Sequence, residues 1–105
     1  CIGANNLISN NAMVKLLCEI LDEKLNIKSS SKNLIYYVRD RPGHDKRYAL
    51  DTKKIKKEIN WEPKYSFESA LRITVDWYLN NQIWVEKQLS KSDYNCERLG
   101  LKNFF

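Results

Sequence analysis

The chain has 105 residues, of which 43% are hydrophobic and 30% are charged. This length suits one small domain rather than two, and the composition is typical of globular proteins. No apolar run reaches the ~18 residues of a membrane-spanning helix, so no membrane span is expected. The excess of 18 lysines and arginines over 13 aspartates and glutamates favours an anionic partner.

The cysteine pattern argues against a metal site and against an oxidising compartment. Cys1, Cys18 and Cys96 are too far apart for a Cys-x-x-Cys motif, and the chain has one histidine. An odd, sparse set of cysteines fits a reducing cytoplasm. Because the chain begins with Cys1 and has no signal-peptide pattern, we expect a piece of a longer cytoplasmic protein.

The first half of the chain predicts one helix and one strand. Ser9, Asn10 and Asn11 are good N-cap residues for a helix over residues 12–25. Apolar residues recur there at the three-four spacing of one buried stripe: Met13, Val14, Leu17, Ile20, Leu21 and Leu25. The segment Leu34–Val38 is short, β-branched and aromatic, which predicts a strand.

The second half predicts two further helices. Asp51 can cap a helix over residues 52–59 that turns Ile55 and Ile59 inward, and Asn60 suits a left-handed helix end. Ser66 can cap a helix over residues 67–80, before a break at Asn80 and Asn81, and no period is visible after Gln88. The predicted buried stripe of this helix is Ala70, Leu71, Val75, Tyr78 and Leu79, and Trp61, Trp77 and Trp84 are interpreted as packing residues.

Residues 39–48 concentrate charge around a turn. They include four cationic side chains, two carboxylates and the only histidine, on both sides of Pro42 and Gly43. Pro fixes φ and Gly accepts positive φ, so this pair predicts a tight turn with the flanking side chains on one rim. Such a rim suits a phosphate or diphosphate. A solvated charged loop is the alternative.

The residues from this turn onward closely resemble the C-terminal part of the dTDP-glucose 4,6-dehydratases, within the extended short-chain dehydrogenase/reductases. The resemblance covers roughly residues 2–94, and its most specific segment is Arg41-Pro42-Gly43-His44-Asp45. It implies an α/β fold in which this chain is the substrate-binding lobe of a Rossmann-type enzyme, mostly helical with one or two short strands. Residues 1–87 would form the nucleotide-sugar-binding portion and residues 88–105 a tail, with the NAD-binding N-terminal domain absent.

The resemblance also implies an activity for the full-length protein. Such a lyase oxidises C4 of the sugar, eliminates water across C5 and C6, and returns the hydride to C6, on the route to rhamnose and other deoxysugars. The family's Gly-x-x-Gly-x-x-Gly cofactor loop cannot be built from Gly3, Gly43 and Gly100, and no tyrosine here has a lysine four positions on. We therefore expect NAD to bind in the missing part, no catalytic residue in this chain, and no activity of the chain alone.

Asp22-Glu23 resembles the family's acid pair only superficially, because it lies at the polar end of a helix, and we assign it to solvent. By resemblance, the substrate-binding residues are Asn10, Asp40, Arg41, Pro42, Gly43 and His44. Arg41 could instead form a structural ion pair with a carboxylate, and Asn10 could instead cap its helix. Because Asn11 follows Asn10, the alignment with the family's substrate-binding asparagine is uncertain by one position.

The expected partners are a nucleotide-sugar and the missing N-terminal domain, in a homodimeric cytoplasmic enzyme that binds neither membrane nor specific nucleic acid. Three alternatives stay open. They are another nucleotide-sugar dehydratase or epimerase, a small basic nucleic-acid-binding module, and a remnant without a function of its own.

Overall fold

The computed structural model describes residues 1–40 and 42–92, and this part of the chain is mostly helical. Its elements are α1 (Asn10–Leu25), a 3-10 helix (Ser31–Leu34), α2 (Lys53–Ile59), α3 (Phe67–Asn80) and α4 (Gln82–Lys91). No β-strand occurs among these residues. The mostly helical character predicted from the sequence is confirmed. Helix α4 crosses the boundary drawn after residue 87.

Helix α1 is capped at both ends by the local sequence. Ser9 is the N-cap, and its Oγ accepts a hydrogen bond from the backbone N–H of Ala12 at 3.2 Å. The C-cap Asn26 lies in the left-handed region at φ 54°, where its N–H donates to the carbonyls of Asp22 and Glu23. The helix begins two residues earlier than predicted. Because Ser9 supplies the cap, the side chain of Asn10 is not committed to capping.

The predicted strand over Leu34–Val38 is wrong for this structure. Leu34 ends the 3-10 helix, and residues 35–40 form neither helix nor strand. Ile35 has the extended φ of −75° and ψ of 122° that a strand uses. A strand also requires a hydrogen-bonded neighbour, and no segment among the described residues pairs with this one. Local preference alone therefore does not produce a strand here.

The cap of α3 follows the prediction, whereas the predicted cap of α2 is wrong by one residue. The N-cap of α2 is Thr52, whose side chain forms no cap hydrogen bond, and Asp51 before it accepts a hydrogen bond from the N–H of Lys53 at 2.9 Å. Asn60 ends α2 in the left-handed region at φ 52°. Ser66 caps α3 through a 3.2 Å hydrogen bond from the N–H of Ser69. These short polar side chains determine where each helix begins and ends.

Helices α1 and α3 pack against each other around the small core of the described chain. Ile20 of α1 is fully buried and Val75 of α3 is 6% exposed. Ion pairs flank this contact, with Lys24 Nζ 2.6 Å from Asp76 Oδ1 and Arg72 Nη1 2.8 Å from Glu23 Oε2. Both buried residues belong to the predicted stripes, so the helical spacing identified the correct faces.

Several side chains that were predicted to lie in the core are instead exposed to solvent. Leu25, Ile59 and Tyr78 are exposed, as are the aromatic and aliphatic residues Leu34, Tyr36, Tyr37 and Val38. The three tryptophans are 37–50% exposed. Trp77 and Trp84 contact each other edge to face with ring centroids 5.1 Å apart. Periodicity selects the apolar face of each helix, but the described residues supply too few partners to cover those faces.

Candidate functional site

The N-terminal segment lies beside the end of the charged loop. A Cβ at Gly3 would lie 3.3 Å from Thr52 Cγ2 and 3.7 Å from Leu50 Cβ, so only glycine allows this approach without displacement. Thr52 is the one polar side chain among the described residues that is buried, at 6% exposure. This close approach holds residues 3–7 next to residues 48–50 and brings the start of α1 towards the loop.

A cavity of about 860 Å³ lies where the start of α1 approaches the charged loop. One wall is formed by residues 6–11, at the start of α1, and the other by residues 44–48 of the charged loop. Asn10 and His44 therefore line the same cavity although 34 positions separate them in the sequence. The fold brings together two of the residues that the resemblance named as substrate-binding.

The other predicted site residues have different placements. Pro42 and Gly43 form the expected turn, with Gly43 at φ 68° and open space around the position of a Cβ. Asp40 is exposed in the irregular segment before the turn. These three residues do not line the 860 Å³ cavity. Arg41 lies outside the described residues, so its role stays a prediction.

Two cations that the resemblance did not single out also line this cavity. Lys46 and Arg47 follow His44 along the loop wall and are exposed. Neither forms an ion pair within residues 1–40 and 42–92. The neighbouring Asp45 accepts a 2.5 Å hydrogen bond from Tyr48 Oη. The signal in the sequence was the cluster of four cations around the turn, of which these are the second two.

This arrangement suits binding of an anion rather than catalysis. An asparagine amide and an imidazole can both donate to phosphate oxygens, and lysine and arginine supply positive charge. Among the described residues, no group of histidine, cysteine, aspartate and glutamate is placed to hold a metal ion. In that same part of the chain, no helix is long and apolar enough to cross a membrane.

The residues present do not fit a nicotinamide cofactor. Gly3 lies against Thr52, and Gly43 lies in a turn that does not lead directly into a helix. The N-terminus of α1 follows Ser9 and not a glycine loop. A pyrophosphate bound at a helix N-terminus needs glycines there so that the backbone can approach it. No reaction step is therefore assigned through a cofactor held by this chain.

Asp22 and Glu23 lie away from the cavity; Glu23 is exposed to solvent as expected, whereas Asp22 is half-buried and hydrogen-bonded. Both carboxylate oxygens of Asp22 lie 3.0 Å from the backbone N of Ser31, across the turn after α1. Hydrogen bonds from the Ser31 side chain and then its backbone, with the charge of Lys32, lower the pKa of Asp22, while burial opposes them. Glu23 pairs with Arg72. Both carboxylates stabilise the fold.

Comparison with known proteins identifies the family. A family model described as GDP-mannose 4,6 dehydratase matches residues 2–74, which is well over half of the chain. The chain belongs to the GDP-mannose 4,6 dehydratase family. The matched range includes both walls of the 860 Å³ cavity and all six predicted site residues.

Individual relatives within the family carry a more specific name. A dTDP-glucose 4,6-dehydratase from Xanthomonas campestris pv. campestris (strain B100) is 45% identical over 101 residues, which are 94% of this chain and 28% of that protein. One from Escherichia coli is 45% identical over 104 residues, 95% of this chain and 28% of that protein. One from Neisseria meningitidis serogroup B is 45% identical over 103 residues, which are 94% of this chain and 29% of that protein. The resemblance to this enzyme is confirmed, and the chain spans less than a third of these relatives.

Proposed function

We propose that this chain is the C-terminal, nucleotide-sugar-binding part of an NAD-dependent dTDP-glucose 4,6-dehydratase. The observation that carries the proposal is the cavity that Asn10 and His44 line together. Relatives that are 45% identical over nearly the whole chain are named for this activity, which converts dTDP-glucose to dTDP-4-keto-6-deoxyglucose and water. Binding would lie in residues 1–87, with residues 88–105 as a tail.

The chemistry of the cavity supports a diphosphate as the part of the substrate that is bound here. The diphosphate of a nucleotide-sugar carries two negative charges, and charge-assisted hydrogen bonds are the strongest that polar side chains make. Asn10 is available for this role because Ser9 caps α1. His44 can donate to a phosphate oxygen in either charge state.

The remaining functions of the enzyme are assigned to the rest of the full-length protein. The glycines here do not fit NAD, and no acid-base set lines the cavity apart from His44 and Asp45. We therefore propose that a preceding domain holds NAD and the catalytic residues, in a cytoplasmic homodimer. The chain alone would bind without turnover.

The test is turnover and nucleotide selectivity of the full-length protein, expressed from its complete coding sequence. We expect conversion of dTDP-glucose with NAD, and inhibition by dTDP at lower concentration than by GDP. GDP-mannose serves as the competing substrate because the family model bears that name. Turnover of GDP-mannose without turnover of dTDP-glucose would reject the proposed substrate. Turnover of dTDP-glucose by residues 1–105 alone would reject the division of roles.

A further inference from the structure

The loop wall of the 860 Å³ cavity contains cations that the known resemblance leaves without a role. Lys46 and Arg47 line it beside His44, opposite Asn10. Lys24, Lys32, Lys53, Lys54, Lys56 and Arg72 form ion pairs within the described residues, and none of these six lines the cavity. An exposed cation at a cavity wall, without a carboxylate partner, is available to a bound anion.

The carboxylate nearest in sequence is held by another group. Asp45 would repel a phosphate and could neutralise either neighbouring cation. Its Oδ2 instead accepts a 2.5 Å hydrogen bond from Tyr48 Oη, across three positions of the loop. A hydrogen bond from a hydroxyl stabilises the carboxylate, so Asp45 does not need an ion pair with a neighbouring cation. Lys46 and Arg47, which lie between these two residues in sequence, form no ion pair with Asp45 and so remain available to an anion in the cavity.

We propose that Lys46 and Arg47 form a second cationic contact for the diphosphate, and that the hydrogen bond from Tyr48 to Asp45 keeps this contact available. The inference rests on the proposed function and deepens it. The Lys46–Arg47 pair would neutralise part of the charge of the diphosphate. Since a guanidinium can bind two phosphate oxygens at once, Arg47 is expected to contribute more than Lys46.

The experiment measures inhibition constants of dTDP, dTMP and thymidine on the full-length enzyme and on the variants Lys46→Ala, Arg47→Ala and Arg47→Lys. Losing one charge-assisted hydrogen bond weakens binding by about tenfold or more. We expect a loss of that size for dTDP with Arg47→Ala, a smaller loss for dTMP, and no change for thymidine. Arg47→Lys should recover part of the dTDP affinity. The matched control is Lys57→Ala, because Lys57 is exposed on α2 and does not line the cavity.

Two further variants test the role of Asp45. Asp45→Asn keeps an acceptor for Tyr48 and removes the negative charge, so dTDP should bind as tightly as before or severalfold more tightly. Tyr48→Phe frees the carboxylate and should weaken dTDP more than thymidine. Equal losses for dTDP and thymidine in Arg47→Ala, or a tenfold loss in Asp45→Asn, would overturn the inference. If wild-type enzyme turns over dTDP-glucose but Arg47→Ala binds dTDP normally, the inference alone fails; if wild-type enzyme binds no dTDP, the proposed function fails.

Discussion

Arg72 of α3 donates a hydrogen bond to Glu23 of α1, with Nη1 2.8 Å from Oε2, and the two residues are 49 positions apart in the sequence. Its Nε also lies 3.1 Å from Glu68 Oε1, one helical turn earlier. The hydrogen bond to Glu23, with that to Glu68, raises the pKa of the Arg72 guanidinium. One side chain therefore connects the two helices that enclose Ile20 and Val75.

Replacing Arg72 with methionine should lower the melting temperature of the full-length protein by at most a few degrees, because water and salt screen exposed pairs. The effect should shrink as the salt concentration rises. Lys54→Met is the control, because Lys54 pairs with Glu58 within α2 at 3.9 Å. An equal loss in that control would contradict a specific link between α1 and α3.

Ile20 should be the most sensitive apolar position of this chain, because it is fully buried between α1 and α3. Ile20→Val should cost ~0.5–1.5 kcal/mol of unfolding free energy and Ile20→Ala ~2–5 kcal/mol, since truncation leaves a cavity. Urea unfolding of the full-length protein, followed by tryptophan fluorescence, measures both. Ile83→Ala is the matched control, because Ile83 is 83% exposed in the described chain. A graded series in Ile20 beside an unchanged midpoint in the control is the expected result.

The lowered pKa of Asp22 should make the free energy of unfolding decrease in acid. Because the folded state lowers its pKa below the ordinary 3.8, the carboxylate stabilises the fold above that pH. This contribution is lost as the pH falls through the lowered pKa. Asp22→Asn should therefore be less stable than wild type at neutral pH and approach it below pH 3.8.

Ser31→Pro provides a second check on the same hydrogen bond. Ser31 is the first residue of the 3-10 helix, and Ser30 before it has φ −68° and ψ 125°, which a following proline accepts. The substitution removes both Ser31 donors to Asp22 while keeping the backbone path, and it leaves the Ser30 hydroxyl and the Lys32 charge. It should flatten most of the acid dependence that Asp22→Asn removes. Full acid sensitivity in both variants would assign the acid loss to other groups.

Ser9 and Asn10 should separate capping from binding. Ser9→Ala removes the hydrogen bond to the Ala12 N–H and should cost about 1 kcal/mol of stability with little change in KM. Asn10→Ala should raise KM for dTDP-glucose with little change in melting temperature. The same enzyme preparations serve for kinetics and melting curves. If the two variants exchange these effects, Asn10 is the structural residue.

Arg41 can be tested although it lies outside the described residues. Its place before Pro42 and the family resemblance predict one charge-assisted contact to the diphosphate, so Arg41→Ala should raise KM about ten- to hundred-fold. The diphosphate is remote from the reacting C4, C5 and C6 atoms, so kcat should fall less. Arg41→Lys should restore part of the loss. An unchanged KM beside a melting temperature lowered by several degrees would instead indicate a structural ion pair.

The sequence was sufficient for features that depend on neighbours along the chain. The caps at Ser9, Asn60 and Ser66 and the buried faces of α1 and α3 follow from residues within one or two helical turns. The Pro42–Gly43 turn follows for the same reason. Helix α4 was missed because its apolar residues are too few to produce a visible period.

Features that depend on distant residues could not be predicted. The strand over residues 34–38 needed a neighbour to pair with, and its sequence preference says nothing about whether one is present. The Glu23–Arg72 pair and the Gly3–Thr52 approach each join segments 49 positions apart. The position of Asn10 opposite His44 follows from that approach. Only the family resemblance, which carries three-dimensional information indirectly, placed these two residues in one site.

The exposure of residues 42–51 affects how tightly the full-length protein should bind its nucleotide. Every one of them is exposed, and they precede Thr52, where the chain is held against Gly3. A segment with so little burial in this chain should have a low free energy of opening, so we expect the cavity wall to adopt its binding arrangement only part of the time. The apparent Kd rises by the reciprocal of that fraction. Any residue elsewhere in the full-length protein that restricts this loop should therefore tighten nucleotide binding without touching the nucleotide, and this would couple the proposed preceding domain to the binding site.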